Sequence, residues 1–226
     1  MTNRLAQLAR QIGWLDALWY ALARGLGKLT HGRCRLHKYA IVAQAVGTAS
    51  LCRGRGDTIE VRAVAAAGAD AAAFRRRASV IAARYGQGAE CLAAYRAGEL
   101  LGYLWFTQRP YQEDEVRARF VPGRRDAAWD FDIQVFNEHQ LGLAFPRLWD
   151  EANRCLHARG VRWTCSRISA FNAGSRSAHR RIGAVLLGSA VFLCCGRWQW
   201  MAASMAPWFH LSRDADSYPQ FRLAPS

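Results

Sequence analysis

Asp130-Phe131-Asp132-Ile133-Gln134-Val135-Phe136-Asn137-Glu138-His139-Gln140-Leu141-Gly142-Leu143-Ala144 reads as a strand, a tight turn and the start of a helix. Phe131, Ile133 and Val135 alternate with Asp130, Asp132 and Gln134, so one face is apolar and the other polar, as a half-buried strand requires. Beyond the turn, Leu141, Phe145, Leu148, Ala152 and Leu156 recur at spacings of three and four and stop at Gly160, which predicts a helix. Pro146 falls in its first turn, where a missing N–H has no intrahelical partner to lose. Gly142 and Ala144 let a ligand come close to the first N–H groups of that helix, and such groups favour phosphate. The other reading of Gly-x-Ala is a simple turn.

A second stretch bears on that choice. After a strand-like run, Val161 to Ala170, comes Asn172-Ala173-Gly174-Ser175-Arg176-Ser177-Ala178-His179-Arg180-Arg181-Ile182-Gly183-Ala184. Asn, a small residue three on, His four further, a basic residue and Gly follow one another. Taken with the first stretch, this resembles the signature of the GNAT superfamily of acyl-CoA N-acyltransferases, over roughly residues 57 to 205.

The resemblance implies an α/β (α+β) fold with a mixed, mostly antiparallel central sheet flanked by helices. It implies transfer of an acetyl or longer acyl group from acetyl-CoA or another acyl-CoA to an amine acceptor, by direct attack in a ternary complex and with no metal. In that frame the backbone of Ile133, Gln134 and Val135 hydrogen-bonds the pantetheine arm, and His139, Gln140, Leu141, Gly142, Leu143 and Ala144 hold the pyrophosphate. The family turn usually opens on Gln or Arg, whereas His139 stands first here, with Gln140 next. Asn172 aligns with an asparagine that supports pantetheine, and it is equally a residue any helix N-cap favours. Ser175 faces the cofactor or is a plain small helix residue. His179 stands where relatives commonly carry a Tyr that protonates the leaving thiolate; an imidazole can do so near neutral pH, and a packed histidine is the alternative. Asp130 and Asp132 are expected on one strand face, with Asp132 the candidate base and a structural hydrogen bond its alternative role.

Composition bounds the partners. A chain of 226 residues that is 51% hydrophobic can bury a core, and a formal charge of +14 with pI near 10.3 predicts an anionic partner: nucleotide phosphate, an acidic acyl carrier protein, anionic lipid or nucleic acid. The 7 cysteines are odd in number and form no Cys-x-x-Cys pair, which predicts reduced thiols, and Cys194 and Cys195 should point to opposite faces. There is no apolar run long enough to span a bilayer and no signal-peptide layout, so the expected location is cytoplasmic or peripheral to the inner face of a membrane.

Three divisions are expected: an arm over 1–55, the acyltransferase domain over 56–212 and a tail over 213–226 that adds little to the core. Thr2 to Leu29 carries an apolar stripe at helical spacing, which Gly13, Gly25 and Gly27 can break, and a short strand follows over Tyr39 to Val46. The amphipathic, basic arm either lies on an anionic membrane or packs on its own domain or on a second copy in a homodimer. Thr58 to Val64 reads as a strand, Asp70 to Tyr85 as a helix with Arg75, Arg76 and Arg77 on a solvated face, and Glu90 to Tyr95 with Glu99 to Gln108 as a hairpin. Residues 109–125 form a long polar connection where substrate contacts are expected. Ala184 to Cys195 and Trp198 to Ser204 close the sheet. Two other classes compete with an enzyme: a degenerate domain that binds CoA or a partner without chemistry, and, last, a basic nucleic-acid-binding protein, for which no motif is present.

Overall fold

The computed structural model describes residues 2–68, 71–136 and 142–225. Along the chain come α1 (Thr2–Ile12), α2 (Trp14–Leu29), β1 (Cys34–Ala45), β2 (Glu60–Val64), α3 (Ala78–Gly86), β3 (Glu90–Arg96), β4 (Glu99–Thr107), β5 (Tyr111–Gln112) and β6 (Arg119–Pro122). There follow β7 (Ala127–Val135), α4 (Ala144–Ala158), β8 (Trp163–Ser169), α5 (Ala173–Arg181), β9 (Val185–Cys195), β10 (Trp198–Ala203), β11 (Phe209–Ser212) and β12 (Gln220–Leu223). They form a mixed α/β fold with a mostly antiparallel sheet flanked by helices.

Two compact units divide the chain, and neither follows the linear boundaries expected at 55 and 213. The first contains the residues up to Gln44, Gln112–Phe120 and Ser166–Pro225; the second contains Ala45–Tyr111 and Val121–Cys165. Strand β8 begins in the second unit and ends in the first.

In the second unit the strand order is β2-β3-β4-β7-β8, antiparallel except for β7 with β8. The β3–β4 hairpin turns on Ala97 and Gly98, both with positive φ, the geometry that matches strand twist. Helix α3 covers the sheet face of Tyr103 and Trp105, with Tyr85 edge-on to Trp105 at 4.9 Å. The opposite face, with Phe106 and Glu90, meets the end of α4, where Arg159 pairs with Glu90 and lies over Phe106. Leu148, Trp149, Ala152 and Leu156 are the buried stripe of α4, and Gly160 at φ 74° ends it. The expected helix over 70–85 is shorter: Arg75 has a positive φ and α3 starts only after Arg77. The stretch 52–57 is tied rather than free, because Cys52 is buried and the amides of Leu51 and Cys52 donate to Asp150.

In the first unit the order is β8-β1-β9-β10-β11. Strand β1 runs twelve residues, longer than the expected 39–46, and lies antiparallel to β9 from Cys34 opposite Cys195 to Ala43 opposite Val185. The residues read as an arm therefore supply an inner strand. Gly13, at φ 88°, breaks the N-terminal helix into α1 and α2, which pack Ala9, Ile12 and Ala17 against Phe171 and Ala173. Two expectations are corrected here. Cys34 and Cys195 form a disulfide, because strands remote in sequence bring them face to face; Cys194 points the other way, toward Gln199, as the alternation requires. The tail is part of the core: Phe221 and Leu223 on β12 are buried, and Phe221 stacks on Phe120 at 5.3 Å.

The connection 109–125 is likewise built in. Glu113 is buried and accepts from Arg167 at 2.6 Å, Glu115 pairs with the same guanidinium at 3.0 Å, and the Tyr39 hydroxyl donates to Glu115 at 2.9 Å. Burial, chiefly, raises the Tyr39 pKa far above its usual value.

Candidate functional site

Strand β7 carries a bulge at its centre. Trp105 faces Phe131 and Tyr103 faces Gln134, so Asp132 and Ile133 together stand opposite Leu104, and Asp132 has φ 46°. The extra residue bends the strand and reverses its alternation. Phe131 and Asp132 consequently both turn toward α3, while Asp130, opposite Phe106, is on the other face. The expectation that Asp130 and Asp132 share a face is thereby corrected.

The Asp132 carboxylate is engaged by two guanidiniums. Arg76 donates from Nε to Oδ2 at 2.8 Å and from Nη2 to Oδ1, and Arg84 donates from Nη1 to Oδ2 at 2.6 Å. Arg84 is only 4% exposed and lies 5.2 Å from the Trp105 ring and 5.3 Å from Phe131. The bond to Asp132, above all, raises the Arg76 pKa. The triple arginine was expected on a solvated face. Its middle member is instead an anchor of the bulge, and sequence reading missed Arg84 altogether. The only local signal for Arg84 was its position three residues after Ile81 on a short helix whose apolar side must face the sheet.

Within the second unit β7 and β8 pair in parallel, from Ala127 opposite Trp163 to Trp129 opposite Cys165. On its β4 side β7 stays paired to its end, with Val135 opposite Gly102. Past the bulge, then, Ile133, Gln134 and Val135 belong to a strand pinned along one edge. Gly102 allows that pinning: a Cβ there would collide with the Gln134 carbonyl oxygen and lie 3.0 Å from the Val135 Cα.

Helix α4 begins at Ala144 with Leu143 as N-cap; among the described residues no side chain caps it, and its first turn holds no acidic residue. Gly142 is exposed and Ala144 is buried and small. This is the positive end of a fifteen-residue helix, with the features that suit an anion. His139, Gln140 and Leu141 lie outside the described residues. A separate open cleft of about 500 Å³ lies between residues 47–50 and the α4 side chains Arg147, Asp150, Asn153 and His157, and includes neither β7 nor the α4 head.

Asn172, Ser175 and His179 sit together on α5 in the other unit. The Asn172 Oδ1 accepts from the Ser175 N–H at 2.9 Å, an N-cap by geometry. His179 is buried, with Nδ1 2.9 Å from the Ser175 carbonyl oxygen. A carbonyl only accepts, so Nδ1 carries the hydrogen in this contact. Burial lowers the His179 pKa below its ordinary value near 6.5, partly offset by the bond to Ser175. His37 is shifted the same way, again chiefly by burial. A histidine with a depressed folded pKa binds its proton in the unfolded chain first, so stability should fall as pH drops below about 6.5, by at most about 1.4 kcal/mol per pH unit per residue. Urea midpoints between pH 7.5 and 5.5 would check this. A His179→Gln variant should show a shallower decline, and a flat wild-type profile would contradict it.

The succession of strand, helix, strand, Asn-capped helix and closing strand is the one the sequence resemblance implies. A functionally unknown conserved protein from Staphylococcus epidermidis matches at TM-score 0.51 and 12% identity, over 74% of this chain and 64% of that one. A tandem GNAT protein from the clavulanic acid biosynthesis pathway matches at 0.49 and 16%, over 75% and 54%. A GCN5-related N-acetyltransferase from Sphaerobacter thermophilus matches at 0.47 and 15%, over 75% and 54%. The chain thus spans less than two thirds of each of these three. No protein-family model matches the sequence, and no curated protein does. At such identities the likeness concerns the fold alone, so the assignment of chemistry to this chain rests on its own residues.

Proposed function

We propose that this chain is an N-acyltransferase that moves an acetyl or longer acyl group from acyl-CoA to an amine. The observation that carries the reading is the bulge at Asp132, which reorients Ile133, Gln134 and Val135 in the unit that also holds the α4 head, whose first turn carries no acidic residue. A pantetheine arm carries amides that can add to the edge of a strand, and a pyrophosphate suits an uncapped helix N-terminus. Ile133, Gln134 and Val135 would hold the first, and Gly142, Leu143 and Ala144 the second, with His139, Gln140 and Leu141 completing the turn.

In the reaction the amine nitrogen bonds to the thioester carbonyl carbon, the C–S bond breaks, the nitrogen gives up a proton and the thiolate takes one. Neither Asp132 nor His179 is retained for those proton transfers. Asp132 is committed to two guanidiniums, and the His179 Nδ1–H donates to the Ser175 carbonyl oxygen. Fixing the two reactants in attack geometry would then account for most of the acceleration.

The same two facts favour a second reading, a GNAT-related module that binds CoA without turning it over. Acyl-CoA should raise Tm under either reading, and release of free thiol with a panel of amines separates them. Gly142→Glu places bulk and negative charge at the helix head, and like-charge juxtaposition costs several kcal/mol, so affinity should fall on the order of 100-fold. Wild-type affinity in that variant would refute the placement of the pyrophosphate.

A further inference from the structure

Charge is unevenly shared between the two units. The first holds 16 of the 31 Lys and Arg but only 6 of the 17 Asp and Glu. The same unit carries most of the exposed large apolar side chains. On α2, Leu15, Leu18 and Leu22 are 67%, 57% and 53% exposed, at spacings that align them along one outward stripe, with Trp14 at its start. Lys28 and Arg24 of the same helix are exposed as well.

A second apolar surface lies on the edge strands. Trp200 pairs with Leu211 and Ala202 with Phe209, so these residues share one sheet face with Trp198, which stacks on Trp200 at 6.1 Å. Trp198, Trp200, Phe209 and Leu211 are all exposed. Arg213 lies 5.3 Å over the Trp198 ring, adding a cation to that face. The register carries the face inward: Trp200 aligns with Leu193, Leu193 with Leu36, and Lys38 is two residues on in β1. Lys38 is paired to Asp16 of α2 at 2.7 Å and lies 5.6 Å from the Trp19 ring. Helix α2 and the open aromatics therefore sit on the same side of the sheet within one unit.

We propose that this side of the first unit docks on an anionic bilayer surface, with the α2 stripe and the β10–β11 aromatics entering the headgroup boundary. Leucines, several tryptophans and flanking cations are the combination an interface rewards: apolar area is buried, indole rings suit the boundary, and each nearby cation is drawn by the surface potential. A second copy of the chain would bring the same excess of positive charge to the contact, which opposes self-association through this face. Among the described residues no helix is long and apolar enough to cross a membrane, so the contact is peripheral. This goes beyond the acyl donor site proposed at β7 and the α4 head, and does not depend on it.

The test is co-sedimentation of the full chain with vesicles of phosphatidylcholine alone or with 30% phosphatidylglycerol. Anionic vesicles should bind about tenfold more tightly or better, binding should weaken in 0.5 M NaCl, and tryptophan emission should be quenched by brominated lipid. Leu18→Glu with Leu22→Glu, and separately Phe209→Glu, should each reduce binding about tenfold at unchanged Tm, since the sites are exposed. Equal binding to both vesicle types, no quenching, or a dimer in light scattering that these variants dissociate would overturn the proposal.

Discussion

Replacing Asp132 with Asn should unfold the chain at markedly lower denaturant, by about 3–5 kcal/mol of lost stability, the range for stripping one partner from a buried ion pair. At this chain length that is a fall in Tm of roughly 10 °C. Asn tolerates the positive φ of the bulge, so the substitution removes charge while keeping shape and backbone preference. What remains is Arg84, buried between two aromatic rings and next to a second guanidinium, with the carboxylate that neutralised both now gone. Arg76 is about one third exposed and can turn to water; Arg84 cannot. A second substitution tests the cause: Asp132→Asn combined with Arg84→Met removes the buried cation as well and should recover most of the loss. A double variant no more stable than the single one would show that the charge is not the reason. The expected consequence for function is weaker acyl-CoA binding, because the ion pairs hold the bend that precedes Ile133, Gln134 and Val135.

Local pattern made the strands and α4 legible. Short apolar and aromatic-bearing runs mark β3, β4, β9 and β10; the three-four spacing of Leu148, Ala152 and Leu156 with Gly160 marks α4; and Ala97-Gly98 marks the hairpin turn. What failed was of two kinds. The bulge at Asp132 inserts a residue into a period of two, so every face assignment beyond it is inverted: Ile133 and Val135 leave the face of Phe131, and Asp132 leaves that of Asp130. Nothing in the sequence around Asp132 announces an extra residue, because Asp is as ordinary on a polar strand face as in a left-handed bend. The other failures are long-range. That β1 lies beside β9, that Cys34 meets Cys195, and that β12 returns to bury Phe221 are pairings between segments far apart, and no local periodicity encodes a partner. At the proposed site the small residues Gly142 and Ala144 were legible as a close approach to a helix head. Arg76, Arg84 and Gly102, which shape the strand beside it, act through contacts with distant backbone and so carried no readable signal.

Gly102→Ala should be the most damaging single methyl that can be added to this chain at a described glycine in the sheet. The Cβ would press on the Gln134 carbonyl and the Val135 Cα, and both are backbone atoms of a paired strand that cannot rotate away. Gly102 is also opposite Ala94 of β3, so retreat on that side breaks a second ladder. Overpacking of this kind costs typically 1–3 kcal/mol, and with backbone on both sides the upper end, about 3 kcal/mol, is expected. Gly174→Ala is the matched control: its nearest neighbour would be the Asn172 Oδ1 at 3.6 Å, ordinary contact, and alanine is the better helix former by about 1 kcal/mol. Thermal unfolding should therefore separate the two alanine variants in opposite directions. If β4 and β7 yield instead by sliding apart at their ends, Gln134 and Val135 move with them, and the Tm increment produced by saturating acyl-CoA should shrink along with stability. Gly102→Ala at wild-type Tm would mean that the close approach of β4 to β7 does not hold the end of the bulged strand, and the geometry proposed for the pantetheine edge would fall with it.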